Sequence, residues 1–356
     1  MMAVKALRAG GALLVAALVG VNASENYDLR YAPGVGGADM SAPMEPGWVV
    51  QTPLYSYSGS IDHTSFKSTN LALLGAPIAG TATTAMDSKI RINVDGVLPR
   101  LTYLSNTQFL GANVGFTALL PLLRKKTDVS LNAVNTKVDV AALQAYAPKV
   151  NAAATVSGQA VAAANSNASS GVGDLELAPV LRWSNETSQW MFVPAVVLPT
   201  GKYDGDKAAN PGSGNFYTFR PLVQYSYIGD GWDVGVRASV AFNSRNRDTH
   251  FRNGNYMNLD AALMRSVNDA TRVGLAAYAV YQFTEDTVNA PSANAAMAAR
   301  QDLTLGKKGY DYGIGPEIAW IKGAGDFMLD ARYVREFASD NRPQGGAFWV
   351  NLSVPF

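Results

Sequence analysis

The clearest pattern in the chain lies at its end. In the stretch 348–356 every second residue is strongly apolar, so Phe348, Val350, Leu352, Val354 and Phe356 share one face of a strand. Trp349, Asn351, Ser353 and Pro355 take the other face. The same two-faced alternation recurs upstream. Phe327, Leu329, Ala331, Tyr333 and Phe337 oppose Asp330, Arg332 and Glu336, and Tyr312, Ile314, Pro316, Ile318 and Trp320 oppose Asp311 and Glu317. Val234, Val236, Ala238, Val240 and Phe242 oppose Asp233 and Arg237. Tyr217, Phe219, Val223, Tyr225 and Tyr227 oppose Arg220 and Gln224, and Leu175, Leu177, Pro179, Leu181 and Trp183 oppose Asp174, Glu176 and Arg182.

Alternation alone also fits a soluble two-sheet sandwich; the spacing of the turns separates the two. About twelve strands are expected, near 47–58, 89–104, 107–120, 172–184, 188–199, 214–228, 231–244, 255–267, 270–284, 309–322, 325–338 and 345–356. Tight turns at Ser105-Asn106, Asn185-Glu186-Thr187, Gly229-Asp230, Asn268-Asp269 and Gly323-Ala324 alternate with long loops near 59–88, 121–171, 200–213, 245–254, 285–308 and 339–344. Short connections on one side and long ones on the other are the pattern of an all-β transmembrane antiparallel barrel, with the short side and both termini in the periplasm. Trp48, Trp183, Trp190, Trp232 and Trp320 all fall at the short-turn ends of strands, as a membrane-interface girdle requires, whereas Trp349 does not. Asp95-Gly96 is a hairpin dipeptide that could split the second strand, but an even strand count argues against a turn there.

The N-terminus fits this compartment. Lys5 and Arg8 precede an uncharged small-and-apolar run from Gly10 to Val21 and the small-residue pattern Val21-Asn22-Ala23, which reads as a signal peptide over 1–23. The run is shorter than the roughly 20 apolar residues of a membrane helix. Residues 24–46 then form a Gly/Pro-rich leader carrying Tyr27, Tyr31, Met40 and Met44, which reads either as a disordered segment or as a plug entering the barrel of 47–356.

Composition narrows the chemistry. Charged residues make up only 16% of the 356 residues, and 29 Lys+Arg balance 28 Asp+Glu, which speaks against nucleic acid as a partner. There is no Cys and there are only two His, so a thiolate metal site, a disulfide framework and a Cys nucleophile are excluded, and no metal or cofactor is expected. His63-Thr64-Ser65 with Asn70 nearby, and His250, fall in expected loops without an orienting group, so no enzyme is read from them. Gly34-Val35-Gly36-Gly37 precedes no helix and is a turn, not a nucleotide fingerprint.

Several short pieces, in order, resemble the phenol-degradation meta-pathway outer-membrane proteins, a family that also takes in the functional-amyloid exporter barrels. They are Pro46-Gly47-Trp48, Gly173-Asp174-Leu175, Leu198-Pro199-Thr200-Gly201-Lys202-Tyr203, Tyr217-Thr218-Phe219-Arg220-Pro221, Phe242-Asn243 and Gly313-Ile314-Gly315-Pro316. The resemblance covers most of 43–356 and implies a barrel of about twelve strands with channel or transport activity. The exporter branch carries a coiled-coil-like region ahead of its barrel, and here 24–45 has no heptads.

The expected function is therefore passage of small, apolar or aromatic solutes across the outer membrane. The alternatives are a polypeptide exporter or surface-assembly barrel, and a closed structural barrel. Selectivity candidates are the inward charges Asp174, Glu176, Arg182, Arg220, Asp233, Arg237, Asp260, Glu317, Asp330, Arg332 and Glu336, which must be hydrated or paired. Leu71, Leu73, Leu74, Ile78 and Met86 make the first long loop unusually apolar, either as a solute-capturing surface or as packing at the mouth. In 141–170 the only charge is Lys149; a short helix is expected near 137–147 and flexible chain beyond it. The expected partners are outer-membrane lipid and lipopolysaccharide, the barrel-assembly machinery reading the terminal Phe356 strand, and the solute; a homo-oligomer is compatible with the sequence.

Overall fold

The computed structural model describes residues 29–42, 44–290, 297–298, 301, 306–322 and 327–356. The expected signal peptide over 1–23, the expected turn at Gly323-Ala324 and most of the expected loop 285–308 between 291 and 305 lie outside them. The strands are β1 (Gly47–Asn70), β2 (Thr81–Val97), β3 (Arg100–Phe109), β4 (Ala112–Leu119), β5 (Leu122–Val138), β6 (Asn167–Val172), β7 (Glu176–Ser184), β8 (Ser188–Val197) and β9 (Thr218–Gly229). They continue with β10 (Trp232–Asn243), β11 (Phe251–Arg252), β12 (Tyr256–Ser266), β13 (Thr271–Gln282), β14 (Thr287–Val288), β15 (Tyr310–Lys322), β16 (Phe327–Asp340) and β17 (Gln344–Pro355). One α-helix, α1 (Ala147–Asn165), joins β5 to β6.

All strands except the small β11–β14 pair belong to one antiparallel sheet, and β17 closes it onto β1 from Val49↔Pro355 to Ser60↔Gln344. Three wall strands are each built from two pieces in line. β2 with β3, β4 with β5, and β6 with β7 each continue past a short break, so the closed barrel has twelve strands.

The breaks line up, and their cause is chemical. Proline has no N–H for the ladder. Pro99 separates β2 from β3, Pro121 separates β4 from β5, and Gly173 to Leu175 separates β6 from β7 at the same height. Pro53 of β1 lies at this level too, its carbonyl accepting from Leu98 N at 2.8 Å, while Leu120 N donates to Pro99 O at 3.1 Å and Gly173 N to Pro121 O at 2.7 Å. Asp95 and Gly96 sit inside β2, so the interruption falls just after them and is not a hairpin.

Polar residues face in and apolar residues face out, the reverse of a soluble sandwich. Leu263, Ile318 and Phe348 are 47–50% exposed on the outer face, while their neighbours Met264, Glu317 and Trp349 are buried. That outer surface needs lipid, and the molecule is an outer-membrane barrel. One end, the near rim, carries Trp48 and Phe356, whose backbones pair at 3.2 and 2.9 Å. Its tight turns include Leu110-Gly111 and Asp230-Gly231, each with positive φ at both residues, the type I′ geometry that matches strand twist. The first of these turns is therefore at 110–111 and not at Ser105-Asn106, because β3 continues to Phe109.

Two expected loops are largely structured at the opposite, far rim. Residues 61–70 and 81–90 extend β1 and β2 well beyond β17, and β5 runs beside β2 up to Val138. Segment 147–165, expected to be flexible, is the helix α1. Alanine favours helix and Pro148 sits in its first turn, where a missing N–H costs nothing. Val150, Ala154, Gly158, Val161, Ala162 and Asn165 recur at three- and four-residue spacing and are buried. Ala154, Gly158, Val161 and Ala162 pack on Met86, Ile90 and Leu131 of the extended sheet, and Val150 packs with Ala82 and Val138, so the sheet supplies the surface that the isolated segment lacks.

Candidate functional site

The lumen is not empty. Residues 29–42 and 44–46 run down its length from the far side to the near rim and meet the inward charges one by one. Tyr31 donates its hydroxyl to Asp260 Oδ2, and Gly34 N donates to Oδ1 of the same carboxylate at 3.0 Å. Arg332 donates from Nε to Gly34 O at 2.9 Å and from Nη2 to Val35 O at 2.6 Å, while its Nη1 pairs with Asp330 and lies 3.3 Å from Glu317 Oε1. Glu317 in turn accepts from Ala38 N at 2.7 Å, and Asp330 accepts from Asn351 Nδ2 at 2.9 Å. A side chain at Gly37 would collide with Glu317 and Arg332, so the leader lies flush on this wall only because Gly37 has none.

The opposite wall is bound in the same way. Arg220 pairs with Glu176 and donates to Arg30 O, and Arg30 pairs with Asp174 at 3.0 Å and stacks over Phe216. Lower down, Gln224 donates to Met40 O at 2.8 Å and accepts from Arg237, which lies 3.8 Å from Asp39. Arg182 donates to Gln189 Oε1, and Gln189 reaches Ser41 O and Ala42 O at 3.4 and 3.3 Å. Asp233 pairs with Arg272, and Glu336 accepts from Tyr278 at 2.5 Å, from Tyr57 at 3.1 Å and from Gly345 N. All eleven inward charges named from the sequence are thus buried in the barrel interior, and most are joined by the leader. Burying so many ions is tolerable only because each has a partner.

Beside the upper part of the leader lies a cavity of about 140 Å³. Tyr55, Tyr57, Leu98, Leu119 and Leu123 give it an apolar wall, with Arg100, Arg220 and Glu336 among its polar groups. Tyr55 stacks on the buried Trp349 with ring centroids 4.2 Å apart. Tyr55 and Leu123 also line a groove on the outer surface, bordered by Leu54, Leu122, Val172 and Phe348. The two spaces share Tyr55 and Leu123 in their linings, next to Pro121 at the level of the breaks in the wall.

The remaining sequence candidates are dispersed. Trp190, Trp232 and Trp320 are exposed on the outer face near the tight turns, Trp183 donates to Leu110 O at 3.1 Å, and Trp48 stacks on Phe356. Phe348, Leu352 and Phe356 are exposed to lipid, with Val350 and Val354 half-buried between them. The five apolar residues of the first expected loop part company. Leu71 packs with Ala82, Val138, Leu143 and Val150, Met86 is buried in β2 under α1, and Leu73, Leu74 and Ile78 are exposed at the tip. His63 and Ser65 lie on β1 and not in a loop. Among the described residues no three His, Cys, Asp or Glu are grouped to hold a metal ion. Sequence reasoning did not single out Arg30, Asp39, Arg100 or Tyr57; Arg100 and Tyr57 carry only the inward half of a period-two pattern, and Arg30 and Asp39 carry no periodic signal at all.

Among the solved structures similar to this chain is one that shares its fold at a TM-score above 0.5. An outer-membrane channel from Pseudomonas putida F1 aligns at a TM-score of 0.56 and 16% identity, covering 89% of this chain and 98% of that one. The CymD monoaromatic hydrocarbon channel aligns at 0.37 and 9% identity over 95% of this chain and 98% of its own, and the NanC porin at 0.34 and 7% over 85% and 100%. Comparison with curated protein sequences gives no match. A family model described as "Putative MetA-pathway of phenol degradation" matches residues 75–352, and the chain belongs to that family.

Proposed function

We propose that the protein is an outer-membrane channel for small apolar or aromatic solutes, gated by its own leader. The observation that carries this reading is the pair of spaces sharing Tyr55 and Leu123, one inside the barrel and one facing lipid. A solute arriving from the far rim finds an apolar cavity beside the leader. Its continuation is either downward, once the leader yields, or sideways through the proline-interrupted wall. The near rim, with its short turns, tryptophans and chain termini, is the periplasmic side in this reading. The outward Phe348 to Phe356 alternation is what the assembly machinery recognises. Residues 24–46 act as the plug, and the ion pairs that they make set the energy of opening.

The test is single-channel conductance of the refolded mature chain in a planar bilayer, with and without residues 24–46. Conductance that rises on truncation and is reduced by an aromatic solute supports the gated channel. Equal conductance in both forms removes the plug role. No conductance in either form removes the open lumen and leaves the sideways route, which a solute-transfer assay into lipid then decides.

A further inference from the structure

We infer that the internal cavity selects an aromatic ring bearing a carboxylate over the neutral ring; this rests on the channel reading above and names its substrate class. Size comes first. A buried apolar cavity of about 150 Å³ takes one benzene-sized molecule, and the space here is about 140 Å³. Its walls suit a ring, since Tyr55 presents a face held by Trp349, and Leu98, Leu119 and Leu123 close around it.

The charge of the lining gives the second half of the argument. Five basic and three acidic side chains border the cavity. Two of the acids are matched, Asp174 by Arg30 and Glu176 by Arg220. The third, Glu336, is held by two tyrosine hydroxyls and a backbone N–H. Of the other three bases, Arg342 lies 3.9 Å from Asp311 Oδ2 and Lys125 is engaged in an interaction of its own, which leaves Arg100. It stands half-buried at the start of β3, where Pro99 breaks the wall, and its hydrogen bond is to the neutral amide oxygen Gln51 Oε1 at 3.4 Å. Among the described residues no carboxylate lies within 4 Å of its guanidinium. A planar guanidinium without a counter-ion beside an aromatic-sized apolar space is a fork for a carboxylate. A neutral hydrocarbon in the same place would leave that charge as poorly matched as it is now.

The experiment is calorimetric titration of the full mature chain in detergent micelles with benzoate and with benzyl alcohol, a neutral molecule of nearly the same shape. Benzoate is expected to bind about tenfold more tightly, the share of one charge-assisted hydrogen-bond pair. Arg100→Gln should abolish that preference while leaving benzyl alcohol affinity within about twofold, and Arg100→Lys should retain part of it. Equal binding of the two probes by the unaltered chain, or a preference that survives in Arg100→Gln, overturns the proposal. Conductance of the same preparation separates the two levels: a conducting channel that treats both probes alike keeps the channel reading and loses the acid selectivity. A chain that binds neither probe loses the cavity as a binding site altogether.

Discussion

Removing one oxygen atom from the leader should open the barrel. Tyr31 donates to Asp260, which is fully buried, and Gly34 N holds the other carboxylate oxygen at 3.0 Å. Tyr31→Phe keeps the ring and its place beneath the Arg220 guanidinium, 4.9 Å from the ring centroid. It removes only the donor, and a buried carboxylate has no water to replace it. A hydrogen bond to a charged group contributes about 1.5–3 kcal/mol net. Since each 1.4 kcal/mol is about a factor of ten, the undocked fraction of the leader should rise roughly 10- to 150-fold. The substituted residue is in the leader, so the strand ladders and the ion pairs within the wall are unchanged. The absence of any Cys provides the assay. Ser41 is on the leader and only 5% exposed, so a Cys placed there reacts with a maleimide only when the leader leaves its seat. Where opening and closing are faster than modification, the rate follows the open population. Ser41→Cys alone and with Tyr31→Phe should therefore differ by at least about tenfold in labelling rate. Rates equal to within about twofold, with both proteins showing the compact barrel on unheated gels, would refute the idea that this contact holds the leader.

Three further outcomes follow from the same geometry. Arg332→Met leaves Glu317 and Asp330 buried without their shared cation; it should cost about 3–5 kcal/mol in urea unfolding of the refolded barrel, with the deficit shrinking at acidic pH as the stranded carboxylates take up protons. Met86→Ala removes packing between the extended sheet and α1; a loss of about 2–5 kcal/mol locally should make 139–166 much more sensitive to protease while the unheated gel mobility of the barrel stays the same. Gly345→Ala drives a Cβ into Ser58 O across the closing seam of β1 and β17, and the fraction of chains reaching the compact barrel on refolding should fall sharply.

The wall was legible in the sequence because lipid and lumen impose opposite demands on successive residues. Where both demands act, as along Phe348 to Phe356 or Tyr217 to Tyr227, a period of two appears and places each charge on the correct side. Beyond the rim the demands change. Residues 61–70 of β1 pair with β2 in full register, yet they stand past the end of β17, beyond the part of the wall that has lipid on one face and the lumen on the other. Their sequence is accordingly rich in Ser and Thr, with Phe66 exposed and Lys67 buried, and reads as a loop. The helix was hidden for a related reason. Its buried face sets only Val150 and Val161 among alanine, glycine and Asn165, so its hydrophobic signal is faint, and that smallness suits the site, since a Cβ at Gly158 would come within 3.0 Å of Met86 and 3.1 Å of Leu131 O.

The leader shows the limit most plainly. Asp260 reads from the sequence as a lumen charge, and so do Glu317 and Arg332, but nothing local says what neutralises them. Their partners are Tyr31, Ala38 and the carbonyl of Gly34, more than two hundred residues away and mostly backbone. Backbone groups have no residue signature; what marks the contact is the glycine that permits it. Gly34, at φ +76°, turns the chain so that its N–H meets Asp260 while its carbonyl meets Arg332, and Gly37 admits the Glu317–Arg332 pair. A Gly-rich leader ahead of a barrel therefore has two physical meanings, slack chain or a ribbon thin enough to lie against a charged wall. The inward carboxylates decide between them. Asp260, Glu317 and Asp330 stand on neighbouring parts of one wall with two arginines, Arg332 and Arg237 across from Asp260, and in a narrow lumen the excess of carboxylates calls for N–H donors from elsewhere. A leader rich in glycine is the nearest supply of them.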